Sequence, residues 1–274
     1  MPFQNAVAIV TGGGSGIGRA MCLALAQRGA KIVVIADLNF ERAQDVAGAI
    51  APAGRAAQLD VTDAAAVKAL IEDTAKEHGR FDFLFNNAGI GIMCEAQDVP
   101  LADWRRVFDV NLNGVVHGVA AAYPIMVRQG SGHIVNTASL AGLTASPWLV
   151  SYAASKFAVV GLSLSLRAEA AALGVRVSAV CPGFIRTPLF YNLEMHTDID
   201  RERALASIMH IAMSPERCAK TILNGVERNR GIIVVTAHAK VLWWIQRISP
   251  WIGEKLSELA AKRMRKRFGG GGNE

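Results

Sequence analysis

Apolar residues fall along this chain in short continuous runs, separated by stretches in which they recur every three or four positions. The runs Val7–Val10, Lys31–Ala36, Arg55–Leu59, Phe81–Phe85, His133–Thr137, Arg176–Val180 and Gly231–Thr236 predict strands. Several are nearly unbroken Val, Ile, Phe and Leu, the pattern of parallel strands covered on both faces. Between them Gly18–Arg28, Phe40–Ala51, Ala64–His78, Leu101–Gln129, Tyr152–Leu173 and Pro215–Arg228 predict helices. Asp63 and the Ser214-Pro215 pair mark helix starts, and Gly29, Gly79, Gly130 and Gly174 mark ends. The long stretch 101–129 contains Pro124, which predicts a kink there. Regular alternation of the two patterns predicts an α/β fold, a doubly wound parallel sheet of about seven strands. It also predicts one domain over residues 1–239 and a helical extension over 240–274.

With 274 residues, 51% of them hydrophobic, the chain can bury one substantial core. No uninterrupted apolar run reaches the ~18 residues of a membrane span. Met1–Asn5 leads straight into the first strand with no signal-peptide pattern, so a cytoplasmic location is expected. Cys22, Cys94, Cys181 and Cys218 are scattered, and no histidines cluster at metal spacing. Reduced thiols and no metal site are therefore expected.

The net charge of +6 is unevenly placed: 21 Lys and Arg against 20 Asp and Glu up to residue 239, then 8 against 3. The basic excess belongs to the extension. There Val241-Leu-Trp-Trp-Ile245-Gln-Arg-Ile248 is followed by Ser249-Pro250 as a helix restart, then Trp251, Ile252, Leu256, Leu259, Met264 and Phe268 at helical spacing. Lys255, Lys262, Arg263, Arg265, Lys266 and Arg267 are interleaved with them. Such an amphipathic segment packs on its own domain or a neighbouring subunit, or lies on an anionic membrane surface. Its adjacent tryptophan-bearing turns favour burial. Nucleic acid is the least favoured partner, and none is expected. Gly269–Gly272 predicts a frayed end.

Strand one ends in Thr11-Gly12-Gly-Gly-Ser15-Gly16-Ile17-Gly18, directly before an Ala- and Leu-rich helix. Glycines let backbone approach a ligand that a Cβ would obstruct, and the helix N-terminus offers N–H groups and a positive dipole to a pyrophosphate. Alone, such a turn is also compatible with a tight strand–helix connection. Asp37 closes the second strand about twenty residues on, where a carboxylate accepts bonds from ribose hydroxyls and repels a 2′-phosphate. No Lys or Arg stands in Asp37-Leu-Asn-Phe40, which favours NAD over NADP. The alternative for Asp37 is a strand-end turn residue.

Tyr152 and Lys156 stand one helical turn apart, on the same face. A cation fixed beside a phenol lowers its pKa from ~10 and makes it a usable proton donor and acceptor. By itself the spacing is common on solvated helices.

Together these residues resemble the short-chain dehydrogenase/reductase family. The matching motifs are Thr11-Gly12…Gly16…Gly18, Asp60-Val61, Asn86-Asn87-Ala88-Gly89, Asn111, Ser139, Tyr152…Lys156 and Pro182-Gly183, in family order over residues 5–236. The resemblance implies a Rossmann-like fold and an oxidoreductase acting on CH–OH groups. It implies that Gly12, Ser15, Gly16, Ile17 and Gly18 form the phosphate turn. Asp60 and the Val61 backbone would meet adenine, and Asn87 and Gly89 would line the adenosine and pyrophosphate channel. Asn87 is equally suited to holding the turn after strand four. Pro182, Gly183, Ile185 and Thr187 would border the nicotinamide; otherwise Pro182-Gly183 is a plain turn and Thr187 a helix cap. Tyr152 would exchange the substrate proton, Lys156 would tune it and bond the nicotinamide ribose, and Ser139 would hold the substrate oxygen. Asn111 would hold a water linking Lys156 to solvent; on its own it suits a cap or a helix kink. Family members also form homodimers or homotetramers through helices near 101–129 and 152–173.

Residues 184–213 break the strand–helix rhythm where the family places its substrate lid. Phe184, Leu189, Phe190, Tyr191, Leu193, Met195, Ile199 and Met209, with Ile90, Ile92, Met93, Leu140, Leu143, Trp148 and Leu149 from other loops, predict an apolar cleft. A lipophilic secondary alcohol or ketone, steroid-, retinoid- or aliphatic-like, suits it; several of these side chains equally suit covering the core. Two other classes compete: a nucleotide-sensing regulatory protein on the same fold, and a membrane-binding protein led by the tail. The complete Asn111–Ser139–Tyr152–Lys156 quartet argues against a sensor.

Overall fold

The computed structural model describes residues 2–191, 193–196 and 209–268. Strands β1 (Val7–Thr11), β2 (Ile32–Asp37) and β3 (Gly54–Gln58) alternate with α1 (Gly16–Gln27), α2 (Phe40–Ala49) and α3 (Ala64–His78). There follow β4 (Phe83–Asn86), β5 (Ile92–Met93), α4 (Leu101–Phe108), α5 (Gly114–Gln129), β6 (Gly132–Thr137), α6 (Val150–Ala170) and β7 (Val175–Cys181). A short α7 (Pro188–Tyr191), β8 (Glu194–Met195), α8 (Pro215–Glu227), β9 (Ile232–Val234), α9 (Ala237–Ile248) and α10 (Pro250–Phe268) complete the order.

The expected seven strands form one parallel sheet in the order β3-β2-β1-β4-β6-β7-β9. Alternate residues of each run face opposite layers. Ala8, Val10, Val33 and Ile35 pack under α1, α2 and α8, while Val7, Ile9, Ile32 and Val34 pack under α3, α5 and α6. The order reverses between β1 and β4, so the loops after these strands diverge and leave a crevice at their carboxyl ends. Asp63 caps α3 by accepting from the Ala65 and Ala66 N–H groups, and Ser214 caps α8 through the Arg217 N–H. Gly29, Gly79, Gly130 and Gly174 all stand at positive φ beyond helix ends, as expected.

The stretch 101–129 departs from expectation. It runs through Pro124 inside α5, and the interruption lies at Asp109–Asn113, a single π-helical turn between α4 and α5. The combined stretch is long and apolar enough to cross a membrane by length and composition, but Val115, Gly118, Ala122 and Met126 are buried inside the fold. Unforeseen too is a second, two-stranded parallel sheet. It pairs β5, just past β4, with β8 in the lid segment, Ile92 opposite Glu194 and Met93 opposite Met195.

The extension is a helical hairpin. A division between residues 239 and 240 would pass through α9, whose Ala239 is fully buried and whose Trp243 is half-buried against the same core cluster, which includes Val159, Val160 and Val234. Burial of the other two tryptophans does not follow: Trp244 and Trp251 are 53% and 66% exposed. The inward face of α9 is narrow, and α10 packs on α9 itself, with Gly253 against the Gln246 side chain. Ile199 and Gly269–Gly272 lie outside the described residues.

Candidate active site

Each strand end at the crevice contributes one part of the site. At β1, Gly12 and Gly16 adopt φ of +62° and +52°. A Cβ on Gly18 would stand 2.1 Å from the Gly12 carbonyl oxygen, so α1 can start this close to the turn only with glycine there. Ser15 is the residue before α1, and its side chain makes no capping bond. The first N–H groups of α1, at Gly16, Ile17 and Gly18, therefore project from a helix N-terminus.

Asp37, at the end of β2, lies beside this turn. Its Oδ2 accepts from the Gly14 N–H at 2.9 Å and its Oδ1 from the Asn39 N–H at 3.0 Å. Each oxygen keeps a lone pair for a further donor. The bare turn, the free helix N-terminus and the adjoining carboxylate fit a dinucleotide with its pyrophosphate on α1 and a ribose at Asp37. Asp60 accepts from the Thr62 N–H and hydroxyl in a turn, while Val61 is buried and its carbonyl contacts His117.

Asn87 holds the turn after β4. Its Nδ2 donates to the Thr11 carbonyl at 3.1 Å, and the Asn87 and Ala88 N–H groups donate to Thr11 Oγ1 at 2.9 and 3.1 Å. Thr11 thus clamps the loop after β4 to the end of β1. Gly89 sits where Asn111 and Lys156 converge; a Cβ there would stand 3.1 Å from Asn111 Oδ1 and 3.5 Å from Lys156 Nζ.

Asn111 occupies the π-helical turn and is fully buried. Its Oδ1 accepts from the Ile90 N–H at 2.8 Å, and its Nδ2 donates to the Ile90 carbonyl at 2.9 Å and to Ser155 Oγ at 3.2 Å. The side chain thereby ties the β4 loop to α6. The helix-kink reading of Asn111 holds, and a water bound by the side chain would use the second Oδ1 lone pair.

Helix α6 begins at Val150, so Tyr152 lies in its first turn and Lys156 one turn on. Lys156 Nζ donates to the Thr137 carbonyl at 2.8 Å and stands 5.6 Å from the centre of the Tyr152 ring. Tyr152 shares a hydrogen bond with the Ser139 side chain, which also accepts from the Ala141 N–H. The quartet foreseen from sequence is brought together.

Its electrostatics differ from expectation. Burial raises the Tyr152 pKa, and the Ser139 bond only partly opposes that. Lys156 is itself pulled down to about 8 by burial. Desolvation is the largest cause of both shifts. Cys181, at the end of β7, lies against this pair; burial pushes its thiol up to about 12, so it stays protonated.

Past β7, the Pro182 carbonyl accepts from the Leu140 N–H, which joins this loop to Ser139's. Gly183 lies against Thr236 and His238, and the His238 ring accepts from the Phe184 N–H at 3.3 Å. Ile185 and Thr187 are buried. The Thr187 hydroxyl donates to the Ile185 carbonyl, and its methyl would meet a Cβ on Gly16 at 3.1 Å. The loop that would face nicotinamide thus closes over the phosphate turn.

The apolar cleft is assembled in part. Gly91 is the close approach: a Cβ there would meet Leu193 at 2.8 Å and would lie 3.9 Å from the Tyr152 ring. Leu189 and Leu193 of the lid therefore stand beside Tyr152. Ile92 and Trp148 are buried, at 2% and 5% exposure, and serve the core. The lid is held from outside by polar contacts, an Arg106 ion pair among them. His196 Nε2 meets Asp103 of α4 at 2.7 Å, and Arg106 bridges Asp103 and Glu194. Gly91, Thr11 and Ser155 were not foreseen as site residues. A lone glycine in the apolar run Ile90-Gly-Ile92 is a signal of close approach; Thr11 opens the matching glycine motif, though nothing there showed its hold on the β4 loop, and Ser155 carries no signal.

Comparison with known proteins agrees with this geometry. The profile of the short chain dehydrogenase family matches residues 6–198. Over 260 residues the chain is 39% identical to "Probable oxidoreductase EphD" of Mycobacterium tuberculosis, covering 90% of this chain and 44% of that protein. The chain thus spans less than half the length of that relative. It is 40% identical over 196 residues to the cyclohexanol dehydrogenase of Acinetobacter sp. strain SE19, covering 70% of this chain and 78% of that one. A solved short chain dehydrogenase/reductase from Burkholderia phymatum in complex with NAD superposes with a TM-score of 0.81 at 30% identity, over 90% of this chain and 94% of that one.

Proposed function

The chain belongs to the short-chain dehydrogenase/reductase family, and from that premise we propose that it is a nicotinamide-dependent oxidoreductase that transfers a hydride between NAD(H) and a lipophilic secondary alcohol or ketone. The observation that carries this reading is the convergence of Ser139, Tyr152 and Lys156 beneath a cleft wall of Gly91, Leu189 and Leu193. The bound nicotinamide supplies or accepts the hydride. The protein's own part is the proton: as a carbinol becomes a carbonyl, the ionised Tyr152 oxygen takes the hydroxyl proton and becomes the phenol, and in reduction the phenol gives that proton back and becomes the phenolate. Ser139 holds the substrate oxygen and, through its bond to Tyr152, stabilises the charged phenolate. Lys156, fixed to the Thr137 carbonyl, adds positive charge beside the oxygen where negative charge develops. Leu189 and Leu193 exclude water from the reacting carbon.

Asp37 supports NAD over NADP, since a carboxylate already aligned by two backbone donors repels a 2′-phosphate. The similarity to a cyclohexanol dehydrogenase supports an apolar alcohol. Assembly into a homodimer or homotetramer through α5 and α6 is supported by apolar side chains left on their outer faces, Val116, Phe157 and Leu164.

The test is a panel of cyclic, aliphatic, steroid and retinoid alcohols with NAD and with NADP, on the wild type and on Tyr152→Phe. The phenol's loss is expected to lower kcat/KM by at least ~10³-fold, within the range for removing a general acid–base group. NADH affinity is expected to stay within a factor of about two, measured by fluorescence titration. Retained turnover in Tyr152→Phe would overturn the mechanism, and a preference for NADP would overturn the role of Asp37.

A further inference from the structure

The outer face of the α9–α10 hairpin is apolar and basic at once. On α9, Val241, Trp244 and Ile248 recur at helical spacing on the exposed side, with Lys240 and Arg247 along the same strip. On α10, Ile252, Leu256 and Leu259 continue it. The two strips meet in an apolar groove of about 400 Å³ between Val241, Trp244, Ile248 and Ile252. Lys255, Lys262, Arg263 and Lys266 project from the same face of α10 by the 3.6-residue period. The acidic Glu254 and Glu258 fall on its flank, and Gly253, Ser257, Ala261 and Met264 face inward. Among the described residues, Lys240, Arg247, Lys262, Arg263 and Lys266 have no carboxylate within ion-pair distance.

We propose that this face docks the enzyme on an anionic lipid bilayer. The charge pattern selects this occupant. A second copy of the chain would set these cations against each other, whereas anionic headgroups neutralise them while the apolar strip enters the acyl boundary. Trp244 and Trp251 suit the headgroup level, and the long lysine and arginine stems let the charges reach outward from an apolar surface.

The hairpin is tied at both ends to the rim of the cleft. At the start of α9, His238 accepts from the Phe184 N–H. Near the end of α10, Arg265 makes a two-pronged pair with Glu95 at 2.8 and 2.9 Å, two residues past β5. The docked protein therefore carries its cleft beside the bilayer, where a lipophilic substrate is concentrated. The docking itself stands whatever the substrate proves to be.

The test is co-sedimentation of the full chain with phosphatidylcholine vesicles, with and without phosphatidylserine. Pelleting is expected only with phosphatidylserine, and is expected to weaken between about 0.1 M and about 0.5 M salt as the charges are screened. Lys262→Glu with Arg263→Glu is expected to lower the partition coefficient by about fivefold or more per site. Trp244→Glu with Ile248→Glu is expected to lower it by at least ~10-fold. All four residues are exposed, and unchanged thermal melts show that both variants fold. No pelleting on anionic vesicles, equal pelleting on neutral ones, or binding untouched by both variants would overturn the proposal. A loss of subunits in Trp244→Glu with Ile248→Glu, read by light scattering without lipid, would overturn it in favour of a second copy. The readout measures no turnover, so it is independent of the proposed reaction.

Discussion

His133 is a titratable side chain sealed in the middle of the sheet. Its Nε2–H donates to Ser178 Oγ at 2.8 Å, and the Ser178 hydroxyl in turn donates to the Arg230 carbonyl. Burial, with Arg176 and Arg167 adding to it, pulls its pKa down to about 3. Between ~6.5 and 3 the unfolded chain binds a proton that the folded chain excludes. The stabilisation is complete above pH ~6.5 and declines as pH falls through that window, by ~1.4 kcal/mol per pH unit for one proton. His133→Gln keeps a donor for Ser178 and removes the titration, so urea unfolding of this variant is expected to show a shallower loss of stability between pH ~6.5 and ~4. Equal slopes would refute that role. The same desolvation acts on Tyr152 and Lys156. Their spacing and partners were legible in the sequence because four motif residues recur in order. The direction of their pKa shifts was not, since it depends on how deeply the fold buries them.

Among elements, the phosphate turn is the most constrained. Gly18→Ala would press a methyl onto the Gly12 carbonyl, which is backbone and cannot turn aside. We expect a loss of ~1–3 kcal/mol in unfolding free energy and at least tenfold weaker NADH binding. Gly14→Ala is expected to be milder, since its nearest neighbours at 2.9 Å are the side chains of Arg42 and Asp37; parity between the two in a paired titration would count against this account. The seven strands were legible because parallel strands buried on both faces carry long apolar runs such as Val7-Ala-Ile-Val10. The π-helical turn was not, because Asp109-Val-Asn-Leu-Asn113 has the apolar spacing of an ordinary helix. Nor were β5 and β8, two residues each, which owe their existence to the lid meeting the loop after β4.

At the scale of the whole molecule, the outward faces of α5 and α6 set the subunit prediction. Phe157 and Leu164 lie two turns apart on α6 and are 48% and 40% exposed. Phe157→Glu with Leu164→Glu is expected to yield a monomer by light scattering, with its thermal melt as the control for folding. An unchanged mass would move the interface elsewhere. The tail's existence and its helix restart at Pro250 were plain in the sequence. Its anchoring was not, because Glu95 and Arg265 are 170 residues apart and carry no local pattern.

Gly91 has a practical consequence. It is the point where the wall beside Tyr152 is a single hydrogen thick and Leu193 leans into the space. Enlarging it by one methyl would push a flexible leucine aside rather than backbone, so the fold would tolerate the change while the passage to the phenol narrowed. Position 91 is thus a dial for redesign: Ala there would disfavour bulky ring substrates relative to slender chains, while meeting Tyr152 only at the ring edge and at ordinary van der Waals distance.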